Sequence, residues 1–314
     1  MEKQKIIAIA GPTASGKTSL AVTVAEKLGG EVISNDSMQI YRMMEIGTAA
    51  PTAEEMRGIP HHMIGILDPL SDFSCADYSE TAKKLIGEVS ARGKLPVFCG
   101  GTGLYLDSVI KVSDFSASVK NSTLRDELSA IAENYGADAL HERLRAHDPE
   151  SAEAIHKNNV RRVIRAIEIF ETTGITKTEW DRRSVTSESP YDVTLVVLDF
   201  LSRDILYDRC DRRVDMMMEK GLPREVENLW KNGFLSPERP AYQAIGYKEF
   251  IPYFNGECSL SAVAENIKLA TRHYAKRQIT WFRRYRDAVI LHPDREDGTI
   301  KSSEELFLEL KGSL

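Results

Sequence analysis

The stretch Gly11-Pro12-Thr13-Ala14-Ser15-Gly16-Lys17-Thr18 sets two glycines ahead of a lysine and a hydroxyl residue. That spacing belongs to phosphate-binding loops. Glycines let backbone N–H groups turn inward around an anion, and a following helix adds free donors and the positive end of its dipole. Lys17 would reach the outer phosphate, and the Thr18 hydroxyl would hold Mg²⁺. Such chemistry needs a strand before the loop and a helix after it. Ile6-Ile7-Ala8-Ile9-Ala10 is an apolar run suited to a buried strand, and Leu20, Val22, Val24 and Leu28 mark a helix. A di- or triphosphate is therefore expected to bind here, although the loop alone does not choose the reaction.

Other side chains compete for roles beside this loop. A second strand, Glu31-Val32-Ile33-Ser34, delivers Asn35 to Tyr41 to the same sheet edge, where open α/β sheets place ligands. Asp36 is then either an acid or base near the phosphates or a helix N-cap. Gly100-Gly101-Thr102-Gly103 follows the strand Leu95–Cys99 and would form another wall of the pocket, or a simple tight turn. Asp199 ends an apolar run beginning at Val193, which fits either a magnesium-holding acid or an ordinary strand end. Arg203, Arg209, Arg212 and Arg213 lie on or near a helix over Asp204 to Lys220, where one of them could grip a diphosphate. His61-His62 opens a short third strand over His61 to Leu67 and has no second cluster with which to bind metal. Lys157, Arg161 and Arg165, with Arg162 adjacent, make a basic stripe that is either a solvated face or a phosphate contact. A long final helix, Ser261 to Arg286, interleaves basic and aromatic residues. This suits nucleic-acid contact or a helix with its aromatics packed inward.

The chain of 314 residues carries a net charge of −6, so nucleic-acid binding would have to come from local patches. No apolar run approaches a membrane span, and the run after Lys3 and Lys5 is too short for a secretion signal. The four cysteines, Cys75, Cys99, Cys210 and Cys258, are far apart, which argues against zinc and disulfides and fits the cytoplasm. Strand and helix signals alternate up to about Ser113. Helical patterns alone follow: Thr123 to Tyr135, Ala137 to Ala146, Pro149 to His156 and Val160 to Thr173. Asp181 to Pro190 is loop-like, and the sheet then resumes. The expected fold is α/β, a P-loop parallel sheet flanked by helices, with an inserted all-helical subdomain. Residues 1–113 and 191–314 form the catalytic core, and residues 114–190 form the insertion. Beyond Pro293 a polar tail with one short helix is expected.

Several ordered motifs resemble the bacterial tRNA dimethylallyltransferases, also called tRNA isopentenyl transferases, over nearly the whole chain. They are Gly11–Thr18, Asp36-Ser37-Met38-Gln39-Ile40-Tyr41, Ile46-Gly47-Thr48-Ala49, Gly100-Gly101-Thr102-Gly103-Leu104-Tyr105, Ala244-Ile245-Gly246-Tyr247 and Lys276-Arg277-Gln278-Ile279-Thr280-Trp281. The resemblance implies transfer of a dimethylallyl group from its diphosphate to N6 of adenosine 37, in tRNAs that read codons beginning with U. It implies that Gly11, Pro12, Thr13, Ala14, Ser15, Gly16, Lys17 and Thr18 bind the donor diphosphate, with Mg²⁺ on Thr18. Asp36 is implied as the base, with Thr13 and Arg213 handling the donor. Contacts to tRNA are implied for Asp36, Ser37, Met38, Gln39 and Thr102. The stretches Arg161, Arg162, Val163, Ile164, Arg165 and Gln243, Ala244, Ile245, Gly246, Tyr247, Lys248 are implied as tRNA contacts too, with the helical insertion gripping the anticodon stem-loop. A cytoplasmic monomer is expected. The competing readings are a P-loop kinase or ATPase with Asp199 on magnesium, and a P-loop RNA-binding module without catalysis.

Overall fold

A computed structural model describes residues 3–111, 122–185 and 188–314. The expected boundary near Ser113 lies outside those residues. The chain divides into two compact units, Met1–Asp107 with Tyr191–Leu314, and Ser108–Pro190. The first opens with β1 (Lys5–Ala10), α1 (Lys17–Leu28), β2 (Gly30–Ser34), α2 (Ala53–Met56), β3 (His61–His62), α3 (Cys75–Ala91), β4 (Leu95–Gly100) and α4 (Gly103–Ile110), whose last turn enters the second unit. The second continues with α5 (Ser122–His147), α6 (Pro149–Ala154), α7 (Val160–Thr173) and α8 (Lys177–Val185). The chain then returns through β5 (Asp192–Leu198), α9 (Arg203–Glu219), α10 (Leu222–Lys231), α11 (Pro240–Gln243), α12 (Ile251–Phe254), α13 (Leu260–Phe282), β6 (Val289–Leu291) and α14 (Ser303–Lys311).

The sheet has six strands in the order β3-β2-β4-β1-β5-β6, and every pairing is parallel. Ile6 to Ala10 are all buried, as a parallel strand covered on both faces requires. Alternate residues share a face. Ile7 and Ile9, Val97 and Cys99, and Val196 and Leu198 accordingly pack together under Leu20, Ala21, Val24 and Ala25 of α1. α3 buries Tyr78, Ala82, Ile86 and Val89, and its Tyr78 hydroxyl donates to the Ser34 carbonyl of β2 at 3.1 Å.

Three expectations need correction. The third strand stops at His62, because Met63 (φ 63°) and Gly65 (φ 58°) turn into left-handed backbone. The one short helix expected beyond Pro293 is present as α14, but it is docked on the core and not carried in a polar tail. It begins with a Ser302–Glu305 capping box and buries Leu306, Phe307 and Leu310 in the sheet's main core. Each such side chain contributes about 1.5–3 kcal/mol. Residues Asp181 to Val185 continue α8, which carries Lys177–Asp181 and Glu179–Arg183 pairs one turn apart. After α9, Gly221 caps the start of α10, which buries Leu222, Val226 and Leu229.

Within the second unit, Leu128, Leu140, Leu144, Val163 and Ile167 form a separate apolar core. Gly136 (φ 85°, ψ 161°) breaks α5 between the two helical patterns read from the sequence. Glu168 is 1% exposed and accepts from Arg125 at 2.8 and 2.7 Å and from Arg165 at 2.6 Å. Burial pushes its carboxyl upward, but those guanidinium bonds more than offset it and hold the group below its ordinary value.

Candidate active site

Strands β1, β2 and β4 are parallel neighbours in the sheet, so their C-terminal loops meet at one edge. Backbone bonds fix the meeting. Asn35 N–H donates to the Cys99 carbonyl at 2.8 Å, and Thr102 N–H donates to the Asn35 carbonyl at 3.1 Å. The Thr102 hydroxyl then accepts from Ser37 N–H at 3.1 Å, which joins the second glycine loop to the segment carrying Asp36.

These loops open on a cavity of about 240 Å³. The phosphate loop contributes Thr13, Lys17 and Thr18, the β2 loop contributes Asp36 to Gln39, and the β4 end contributes Cys99 to Gly101. Gly47 to Ala49 and Gln243 to Ile245 add further walls. α9 supplies Arg213, Val214 and Met217, and α13 supplies Ile267, Thr271, Tyr274, Arg277 and Gln278. Polar groups therefore gather at the sheet edge, and most of the apolar lining comes from α9, α13 and the 244–245 turn.

Charge in the cavity is divided. Lys17 donates to the Pro12 carbonyl at 2.6 Å. Burial, with the Arg213 charge adding and Cys99 and Asp36 opposing, brings its ammonium down to about 8. Burial likewise lowers Arg213, and the facing Asp36 charge counters it. Among the candidate arginines, Arg213 is the one that lines the cavity, with its guanidinium 3.5 Å from the Thr48 carbonyl. Arg209 instead donates to the Ala14 carbonyl at 2.9 Å, and Arg212 pairs with Asp208.

Asp36 caps a turn, not a helix, and also faces the cavity. Its Oδ1 accepts from Met38 N–H at 2.9 Å and Gln39 N–H at 3.3 Å, the capping geometry. Its other oxygen has no hydrogen-bond partner among the described residues, and the residue lines the cavity. Gln39 donates to the Thr48 and Ala49 carbonyls at 3.3 and 3.2 Å and so holds that wall in place. Burial first, then the Asp36 charge, pushes the Tyr274 hydroxyl up to about 12. Burial also raises the Cys99 thiol to about 11, which keeps it protonated and weakly nucleophilic.

Some expected contacts fall elsewhere. Tyr247 has no exposed surface. Its ring lies over Gly47, where a β-carbon would come within 2.5 Å of the Tyr247 hydroxyl. It cannot touch tRNA from there, and Ala244 and Ile245 are the parts of its motif that face the cavity. Val163 and Ile164 are buried in the helical core, which removes them from the contact set. Arg161 and Arg162 remain exposed beside them. Arg165 is committed to Glu168, and Lys157 to Asp138, so the basic stripe is thinner than its spacing implies. Thr102 acts through Ser37 and does not line the cavity. Asp199 does not line it either. It pairs with Arg203 at 2.8 Å, which removes the acid needed by the kinase reading.

Several contributors lie outside the expected site residues, among them Tyr274, Arg277, Gln278 and Glu225. Ile267, Thr271, Tyr274 and Gln278 follow helical spacing along one face of α13, and that periodicity was the available signal. Glu225 gave none. It accepts from the Ile46 and Gly47 amides at 2.8 and 2.9 Å, far away in sequence.

A cationic anion cradle beside a half-buried carboxylate, at the C-terminal edge of a parallel sheet, defines a P-loop group-transfer enzyme. A family profile described as IPP transferase matches residues 39–285. A tRNA dimethylallyltransferase of Bacillus cytotoxicus is 46% identical over 100% of this chain and 96% of its own length. One from Halalkalibacterium halodurans is 49% identical over 90% of this chain and 88% of its own. The crystal structure of a Bacillus halodurans tRNA isopentenylpyrophosphate transferase is 44% identical, with a TM-score of 0.71 over 99% of this chain and 96% of that one. A eukaryotic dimethylallyltransferase caught acting on tRNA is 29% identical, with a TM-score of 0.84 over 99% of this chain and 79% of that one. The chain belongs to the IPP transferase family, and it is a transferase. Among the described residues no helix is long and apolar enough to cross a membrane.

Proposed function

We propose that the protein transfers the dimethylallyl group of dimethylallyl diphosphate to N6 of adenosine 37, in tRNAs that read codons beginning with U, and that it works as a cytoplasmic monomer. The observation that carries this reading is the placement of Lys17, Arg213 and Asp36 around one cavity. The first two suit a leaving diphosphate and the third suits an amine that must lose a proton.

The adenine amine is a poor nucleophile, since its lone pair is delocalised into the ring. In the proposed step N6 forms a bond to C1 of the allylic group while the C1–O bond breaks and pyrophosphate leaves with the electron pair. Lys17, Arg213 and the loop amides stabilise the charge gathering on that leaving group. Thr13 lines the same end and would contact the donor. Asp36, through its unpaired oxygen, takes the N6 proton. Adenosine 37 must leave the loop stack to arrive here, so a flipped base is part of the proposal. Arg161 and Arg162 of the helical unit, exposed and basic, suit the phosphates of the anticodon stem-loop.

The Ser15 hydroxyl, buried with no hydrogen-bond partner among the described residues, fits a bound anion, and Thr18 lines the cavity. Among the described residues no cluster of His, Cys, Asp and Glu could hold a metal by itself. Thr18 would hold Mg²⁺ beside the donor diphosphate, since hard cations are often held with phosphate substrates. Bound there, Mg²⁺ would help neutralise the diphosphate.

The test mixes purified protein, dimethylallyl diphosphate, Mg²⁺ and unmodified tRNA, followed by mass analysis of the digested tRNA. A prenylated adenosine beside the anticodon is the expected product. ATP turnover without tRNA change would favour a kinase or ATPase, and bound but unaltered tRNA would favour an RNA-binding module.

A further inference from the structure

Gln278 of α13 is 4% exposed and hydrogen-bonds in two directions. Its Oε1 accepts from the Thr13 backbone N–H at 2.8 Å, and its Nε2 donates to the Gly101 carbonyl at 3.0 Å. Thr13 belongs to the loop after β1, and Gly101 follows β4, the strand paired beside β1. One amide side chain thus joins the two glycine loops through both of its polar atoms. Two consequences follow. The Thr13 amide is withdrawn from the set free to meet a phosphate, so the shape of the anion cradle depends on this side chain. Gly101 is also pressed close, since a β-carbon there would lie 2.0 Å from the Gln278 Nε2.

The link extends beyond Gly101. The next residue, Thr102, accepts from Ser37 N–H at 3.1 Å, and Ser37 adjoins Asp36. An unbroken path of covalent and hydrogen bonds therefore runs from Thr13 through Gln278, Gly101, Thr102 and Ser37 to Asp36. We propose that Gln278 is a positioning residue that sets the distance between the donor-holding loop and the carboxylate that receives the amine proton. This rests on the prenyl-transfer reading given above. Gln278 touches neither reacting atom, and it acts by fixing the spacing across which they meet. A misplacement of about 1 Å in such a pair can cost about a hundredfold in rate, whereas each ligand still finds most of its own contacts. Loss of the clamp should therefore lower kcat and leave both KM values nearly unchanged.

Two variants test this. Gln278→Leu removes both bonds at similar volume. Gln278→Glu keeps an acceptor for Thr13 and loses the donor to Gly101, and it carries the test should the leucine variant fail to fold. Steady-state kinetics with dimethylallyl diphosphate and unmodified tRNA would be measured beside thermal melting. Expected for each folded variant is a kcat at least about tenfold below wild type, with both KM values within about threefold. A kcat within threefold of wild type, whether or not the melting temperature falls, overturns the positioning role. So does a loss confined to KM. Absence of product from the wild-type protein would overturn the transfer reading itself and the clamp with it, whereas wild-type product beside an unimpaired variant overturns the clamp alone.

Discussion

Tyr247 donates its hydroxyl to Glu225 at 2.9 Å, and the same Glu225 oxygen accepts the Gly47 amide at 2.9 Å. The second Glu225 oxygen accepts from Ile46 N–H at 2.8 Å. A carboxylate on α10 therefore pins the 46–49 wall of the cavity and the 244–247 turn to one point. Burial pushes the Glu225 carboxyl upward, and these bonds work against that rise.

Tyr247→Phe should lower stability by about 1–3 kcal/mol, since the hydroxyl bonds the Glu225 carboxylate and lies 3.1 Å from the Met44 carbonyl. It should leave tRNA affinity unchanged. Urea unfolding and tRNA titration measure the two separately. Weaker tRNA binding at unaltered stability would restore a direct contact by this ring.

Asp36→Asn keeps an oxygen to accept from Met38 and Gln39, so the local turn should persist. It removes the proton acceptor. Turnover should fall by about a hundredfold or more while donor and tRNA binding hold. Single-turnover rates beside binding titrations decide this, and turnover within tenfold of wild type would take Asp36 out of the base role.

Lys17 stands at about 8 without donor. A bound diphosphate favours the ammonium and raises that value, so donor binding takes up a proton above pH 8. Affinity should be flat from about pH 7 to about pH 8 and weaken above it, by up to about tenfold per pH unit. Calorimetry in buffers of different ionisation enthalpy reads the proton directly. Lys17→Arg, which stays charged, should abolish the uptake. Donor affinity that is constant well above pH 8 would show that the wild-type ammonium never titrates there.

Arg161→Ala and Arg162→Ala should each flatten the salt dependence of tRNA binding by about one unit of slope. Arg165→Ala should act on stability instead, because it breaks a bond to the buried Glu168. The cost should be about 1–3 kcal/mol, moderated by the partly solvated guanidinium. Denaturation and salt titrations separate the two classes, and equal slopes in all three variants would contradict the division.

What the sequence made legible was whatever local pattern controls. The phosphate loop, the apolar strands β1, β2, β4 and β5, and the helix α13 follow from short-range periodicity and glycine placement. Arg213 could be shortlisted by chemistry, but choosing it over Arg209 and Arg212 needed the α9 neighbours, since Arg209 turns to Ala14. The Gln278 clamp and the Glu225 pin join segments remote in sequence, 265 and 179 residues apart. Such bonds leave no local signature. Tyr247 entered the contact set through the resemblance alone, and the sequence shows no sign of whether its ring points inward. The α14 helix looked peripheral because its apolar face is only three residues wide, and only the docked structure shows that face in the main core.

The most direct test is a crystal structure with a non-transferable dimethylallyl diphosphate analogue and an anticodon stem-loop bound together. The expected result places the diphosphate against Lys17 and Arg213 and a flipped adenine in the same cavity, with N6 within hydrogen-bond reach of Asp36. Two ligands in separate, unconnected cavities would contradict the proposed transfer.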